Sequence, residues 1–247
     1  MMKRILVWDL PTRLFHWLLA GAFTGAFVLA NVDDDGPLFP IHMLLGLVMA
    51  FMVVLRVVWG FVGTRHARFG AFVFGPGAVV AYVKGVISGD GERHVGHNPG
   101  AAVAIFAMLA LSLGLAVTGV LMGGGSEAAE EVHEVLAYLL LATVLLHVAG
   151  VIVHTLRHRE NLALSMVDGH KEGPEGQAIR SSRPLVALAF LVLTGLWSWR
   201  LAAGYDPAGQ RLTVPVIGTT LQLGEAEHEH EHEHEHDGRR EHERRDD

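Results

Sequence analysis

The chain has 247 residues, 51% of them hydrophobic, no cysteine and a formal net charge of -7; its mean hydropathy is +0.34. Apolar residues this abundant, gathered in long blocks, exclude an ordinary soluble domain and point to a helical integral membrane protein. The lack of cysteine excludes internal disulfides, thiolate-held iron–sulfur clusters and covalently attached c-type haem.

The charge is unevenly placed. The tail, residues 225–247, carries 11 acidic and 4 basic residues, which leaves 15 of each sign in the rest. The molecule is therefore a neutral membrane body with a charged tail.

Residues 1–13 (MMKRILVWDLPTR) form a short basic lead with an interfacial Trp8. No small-residue cleavage site follows the first apolar run, so that run is expected to be retained as a span. Span one is expected over 14–32, with His16 in its first turn. Residues 31–40 (NVDDDGPLFP) read as a polar turn with three aspartates. Span two covers 41–62, opens on His42 and ends around Arg56 and Trp59. A long loop, 63–100, holds Arg65, Arg68, Lys84 and Arg93, and its partly apolar piece at 69–87 is expected to be a short surface helix. Span three covers 101–122 and has no histidine. An acidic turn, 123–131, leads into span four at 132–156, which carries His133, His147 and His154. Residues 157–183 read as a basic loop, and 184–203 as a fifth span.

The loops after spans one and three hold only acids, while the N-terminus and the loops after spans two and four hold nearly all the body's Lys and Arg. The positive-inside rule then puts the N-terminus in the cytoplasm and, with five spans, the C-terminus outside, in the periplasm of a double-membraned bacterium.

Orientation sorts the histidines by depth. His42 and His133 lie at one outer level; His16 and His147 lie toward the inner side. His133 and His147 are fourteen residues apart, so they share nearly one helix face about 21 Å apart along the axis. A lone histidine near a helix end is more often an interfacial residue than a ligand. A mid-span histidine such as His147 is different, because an unpaired polar group in hydrocarbon is costly. Four histidines matched by depth suit two bis-histidine b-type haems, which need no cysteine. On geometry alone His154, seven residues beyond His147 on the same stripe, competes for the inner site. Helix tilt, or a span one that begins nearer Trp8, reconciles His16 with His147 in depth. Arg56 reads as an arginine snorkelling to the headgroups, or as a counter-charge for a propionate of the inner haem. His97-Asn98-Pro99 reads as the start of span three.

Several segments, in order, resemble the prokaryotic cytochrome b561 family, which includes the hydrogenase-type cytochrome b subunits: VWDLPTRLFHW (7–17), PIHMLLG (40–46), RVVWGFVG (56–63), HNPGA (97–101), EEVHE (130–134) and LHVAGVIVHTLRHRENLALSMVDG (146–169). The resemblance covers residues 5–170. It implies a four-helix transmembrane bundle enclosing two b haems, with His16, His42, His133 and His147 as the axial ligands. The fifth span and the tail lie outside it. The expected organisation is a four-helix domain at 1–170, a loop and fifth transmembrane helix at 171–203, and an external segment at 204–247 with a disordered His/Glu-rich tail.

The function expected on this reading is transmembrane electron transfer between the quinone pool and a periplasmic redox partner: a c-type cytochrome, a hydrogenase or another dehydrogenase. A variant is self-contained superoxide:quinone oxidoreductase activity. A divalent metal-ion transporter is the competing class, but it wants carboxylates in the span centres, where this chain has none. The tail reads as a solvated extension, or as a weak site for divalent metal.

Overall fold

The computed structural model describes residues 2–32, 36–89, 93–215 and 218–222. The aspartates read as an acidic turn at 33–35 and the His/Glu-rich tail lie outside these residues. Five helices are long and apolar enough to cross a membrane: α1 (Leu10–Val32), α2 (Phe39–Val62), α4 (Pro99–Met122), α5 (Glu127–His158) and α7 (Pro184–Ala203). The shorter α3 (Pro76–Ser88) lies in the loop expected to hold a surface helix. The chain is thus a multi-pass membrane protein. Large apolar side chains such as Phe61, Leu146 and Leu185 face outward from these helices. That pattern suits hydrocarbon as solvent, since lipid exerts no pressure to hide them.

Helix starts follow local chemistry. Asp9 precedes α1, and its Oδ1 accepts the Thr12 N–H at 2.9 Å. Asn98 caps α4 by accepting the Ala101 N–H at 2.7 Å, and proline occupies the first turn of α2, α4 and α7, where no N–H is missed. The Asp9 cap starts α1 at Leu10 rather than at residue 14. The earlier start sets His16 about 9 Å inside the helix, toward the depth of His147.

The packing is asymmetric. Phe15 of α1, Met49, Met52 and Val53 of α2, Leu109 of α4 and Phe190 of α7 form the main apolar core. Thus α7 backs α1 and α2, and Trp197 donates to Leu47 O at 3.2 Å. Helix α5 packs closely along α4 but makes far sparser contact with α1 and α2. Its inward face meets them chiefly through rings, such as Phe27–Tyr138 at 6.0 Å.

Two small sheets close the ends. β1 (Met2–Leu6) pairs antiparallel with β2 (His170–Pro174), Leu6 opposite His170, so the basic lead is a strand and not a free arm. The region read as a basic loop also contains α6 (Leu162–Asp168). Trp8, expected at the interface, is buried and donates to Ser165 Oγ at 3.1 Å. At the opposite end β3 (Tyr205–Asp206), β4 (Arg211–Thr213) and β5 (Thr220–Gln222) form an antiparallel sheet. Its Leu212, Val214 and Leu221 pack on Met43, Leu44 and Leu47 of α2 and Val120 of α4. That sheet lies within the segment expected only to be external, and it rests on the bundle.

Candidate cofactor sites

The far site, at the end away from the N-terminus, joins α2 and α5. The His42 and His133 ring centroids are 6.2 Å apart, with planes inclined at 71°. An imidazole nitrogen sits about 1.2 Å from its ring centre and about 2 Å from a metal it ligates, so two trans imidazoles on one iron have centres about 6.4 Å apart. The separation therefore fits an iron held between them.

The hydrogen bonds decide which nitrogens are free. His42 Nδ1 lies 2.8 Å from Ala26 O; a carbonyl only accepts, so Nδ1 carries the proton. His133 Nδ1 lies 2.8 Å from Thr118 Oγ1, whose hydroxyl donates back to Gly114 O or Leu115 O at 3.0 and 3.2 Å. With that proton committed, Oγ1 accepts from Nδ1–H. Both imidazoles thereby donate through Nδ1, which leaves Nε2 as the nitrogen available to a metal, the outer-shell arrangement of ligating histidines. Phe39 stacks on His42 at 5.3 Å and fixes its ring. No protein atom comes within 4 Å of a Cβ placed on Gly46, one turn past His42, so a flat ring can approach the backbone there.

The near site joins α1 and α5. His16 and His147 lie close enough to interact electrostatically. His16 Nδ1 is buried and has no hydrogen-bond partner. Trp17, edge-on to His16 at 4.9 Å, donates to Met166 O at 3.0 Å. His154 points elsewhere: its Nε2 is 3.4 Å from Glu160 Oε2, and its ring lies against that of His158, centres 4.5 Å apart and planes inclined at 44°.

Further polar residues gather at the same end of the bundle as the N-terminus. Asp9 is 1% exposed; besides capping α1, its Oδ2 accepts from Trp59 Nε1 at 3.1 Å and Thr64 Oγ1 at 2.5 Å, tying the start of α1 to the end of α2. Arg56 is 4% exposed and donates to Ala67 O at 3.1 Å. It is buried, so it does not snorkel, contrary to the first of its two expected roles. His97 is clasped between Trp8 and Phe72, at 4.6 and 4.4 Å. Burial, with the positive charge of Arg56 beside it, pushes the His97 pKa down to about 3. Burial also lowers His66, whose Nε2 donates to Gln177 O at 2.8 Å. Glu160 is pulled up by burial, but the His154 hydrogen bond and the charges of Lys171 and Arg93 outweigh it, and its pKa falls. Among the described residues, no group of three or more His, Asp or Glu side chains is arranged to hold a bare metal ion.

Sequence reasoning singled out the four histidines but missed Asp9, Thr118 and the burial of His97. The signal for Asp9 was its place three residues before Thr12 at a helix start. Nothing in the sequence points from Thr118 to His133.

Membrane-spanning helices that bring two imidazoles ring to ring define the pattern of a membrane cytochrome of the b type. The family comparison is specific: residues 7–169 match the model for prokaryotic cytochrome b561, and the chain belongs to that family. A probable Ni/Fe-hydrogenase B-type cytochrome subunit of Rhizobium leguminosarum bv. viciae is 26% identical, over 68% of this chain and 89% of the relative. The corresponding protein of Rhodobacter capsulatus is 22% identical, over 68% and 81%. A probable Ni/Fe-hydrogenase 1 B-type cytochrome subunit of Escherichia coli (strain K12) is 23% identical, over 72% and 94%. No solved structure matches the chain. The protein is thus a multi-pass membrane electron-transfer protein that uses haem b.

Proposed function

We propose that the protein carries electrons across the membrane through two b haems, one held by His42 and His133 and one by His16 and His147, between the quinone pool and a redox protein in the periplasm. The observation that carries the reading is the pair of imidazoles at the far site, 6.2 Å apart, each with Nδ1 held by a hydrogen-bond partner. Residue spacing extends it: α5 presents a second histidine about 21 Å along the same face. Haem supplies a one-electron iron couple when bound.

The chain's own residues do the rest. Ala26 O and Thr118 Oγ1 orient the far-site imidazoles, Asp9 ties α1 to α2 beside the near site, and the apolar bundle excludes water around both. On this reading α5 is the element both haems share. The basic N-terminal end faces the cytoplasm and the C-terminus lies outside. The names of the relatives support a hydrogenase or a similar dehydrogenase as the partner class.

The test is vectorial. Protein is reconstituted into vesicles with ferricyanide trapped inside, and a membrane-impermeant reductant is added outside. Both haems should reduce and the trapped ferricyanide should be consumed; His147→Ala should stop consumption while leaving the far-site haem reducible. In a second arm, a short-chain quinol should reduce the haems. A full haem complement with no reduction of trapped acceptor would contradict the proposal.

A further inference from the structure

Helices α2 and α5 carry the same spacing. His42 and Arg56 are fourteen residues apart on α2, as His133 and His147 are on α5. Fourteen residues rise about 21 Å and leave a rotational offset of about 40°. Arg56 therefore stands where α2 would place a second histidine if it ligated at both depths. At the near site the imidazole comes from α1 instead, and α2 turns a guanidinium toward the same interior.

That guanidinium has donors to spare. Nη2 donates to Ala67 O, and the group lies 5.2 Å from the centre of the Phe69 ring. Nη1 is buried with no partner. Asp9 is the acid within electrostatic reach, yet its oxygens already receive Thr12 N–H, Trp59 Nε1–H and the Thr64 hydroxyl. Among the described residues Arg56 forms no ion pair. Beside it, half-buried His97 has its Nδ1 atom buried without a partner and interacts electrostatically with both Arg56 and His147. Phe69 lies against Arg56 and Phe72 lies against His97, at 4.4 Å between ring centres, and the two phenylalanine rings are 5.9 Å apart. A buried cation and a half-buried imidazole, each with a buried unused nitrogen and both near His147, call for an anion with two acceptor oxygens. A carboxylate has that form, and its charge-assisted bond to guanidinium is among the strong ones.

We propose that Arg56, assisted by His97, binds a carboxylate of the tetrapyrrole held by His16 and His147, and that its fixed positive charge raises that haem's reduction potential. The inference rests on the two-haem reading above. Arg56 is a positioning and tuning residue: it reaches the periphery of the group and not the iron.

The test is an optical redox titration of purified holoprotein, with the near-site haem identified as the one lost in His147→Ala. Arg56→Gln should keep both haems, move the near-site reduction equilibrium toward the ferric form by about tenfold or more (about 59 mV per tenfold for one electron), and leave the far-site haem unmoved. Arg56→Lys should restore most of the potential, and His97→Gln should shift it in the same direction by less. If Arg56→Gln does not accumulate, the Lys and His97 variants carry the same comparison. The second arm compares retention of native haem and of iron protoporphyrin dimethyl ester, which lacks free carboxylates: Arg56→Gln should weaken near-site retention of native haem by about tenfold and leave retention of the ester unchanged from wild type. Two haems with no near-site shift would overturn the proposal. So would an equal loss of retention with the ester, which would assign Arg56 to another anion. Fewer than two haems in the wild type would overturn the two-haem reading itself, a separate result.

Discussion

Replacing Thr118 by valine removes one hydroxyl and keeps the shape of the side chain. In the wild type that oxygen accepts from His133 Nδ1 at 2.8 Å while donating to the carbonyls one turn back. The carbonyls keep their helical partners in the variant, but the imidazole N–H does not keep its acceptor. Leaving a buried donor unsatisfied costs about 1–3 kcal/mol, or about 5–150-fold in an equilibrium. Loss of an outer-shell partner of a metal-ligating histidine independently suggests about 10–100-fold in affinity, so the two estimates agree. The expected outcome is about tenfold or greater weakening of far-site haem binding, with the near site unaffected and Thr118→Ser close to wild type. Haem transfer to an excess of apomyoglobin, followed by difference spectroscopy, measures it. Unchanged retention of the far-site haem in Thr118→Val would refute the claim that His133 ligates through Nε2 with Nδ1 anchored on Thr118.

Other expectations follow from the same geometry. His154→Ala should leave the haem content unchanged, because its Nε2 is turned to Glu160, whereas His147→Ala should lose one haem; the pyridine haemochrome assay separates the two. Gly169 has φ +84°, and a Cβ there would stand 2.8 Å from Trp8 O. Gly169→Ala should therefore destabilise the strand–α6 clasp by about 1–3 kcal/mol, seen as a lower thermal midpoint in detergent. His97 titrates near 3 in the fold against 6.5 in its unfolded state, so the unfolded chain binds the proton first. Its contribution is whole above pH 6.5 and is lost as pH falls toward 3, by about 1.4 kcal/mol at pH 5.5. His97→Phe should flatten the decline in stability between pH 7 and 5.5 by that amount. An unchanged decline would show that other groups cause it.

The spans were legible because hydrocarbon demands long apolar runs, and α7 begins and ends at the residues hydropathy assigns it. The start of α1 was less legible. Pro11, Thr12 and Arg13 look like a lead until the Asp9 side chain is seen capping them. Pairing of β1 with β2 joins residues more than 160 positions apart through short charged strands, which no local pattern announces. At the sites, spacing along α5 revealed two depths, since 3.6 residues per turn is a property of the chain itself. The anchors that choose a tautomer, Ala26 O and Thr118 Oγ1, come from neighbouring helices and emerge only from packing. Arg56 illustrates the same limit: its residue type suits a snorkelling cation, and its burial under Phe69 decides otherwise.

The central claim is that α5 supplies one axial imidazole to each of two haems. The ratio of haem b to polypeptide, measured by pyridine haemochrome against quantitative amino-acid analysis, tests it most directly. The account predicts about two for the wild type and about one for either His133→Ala or His147→Ala, with the remaining haem still low-spin. A wild-type ratio of one, or a ratio of two retained in either variant, would contradict it.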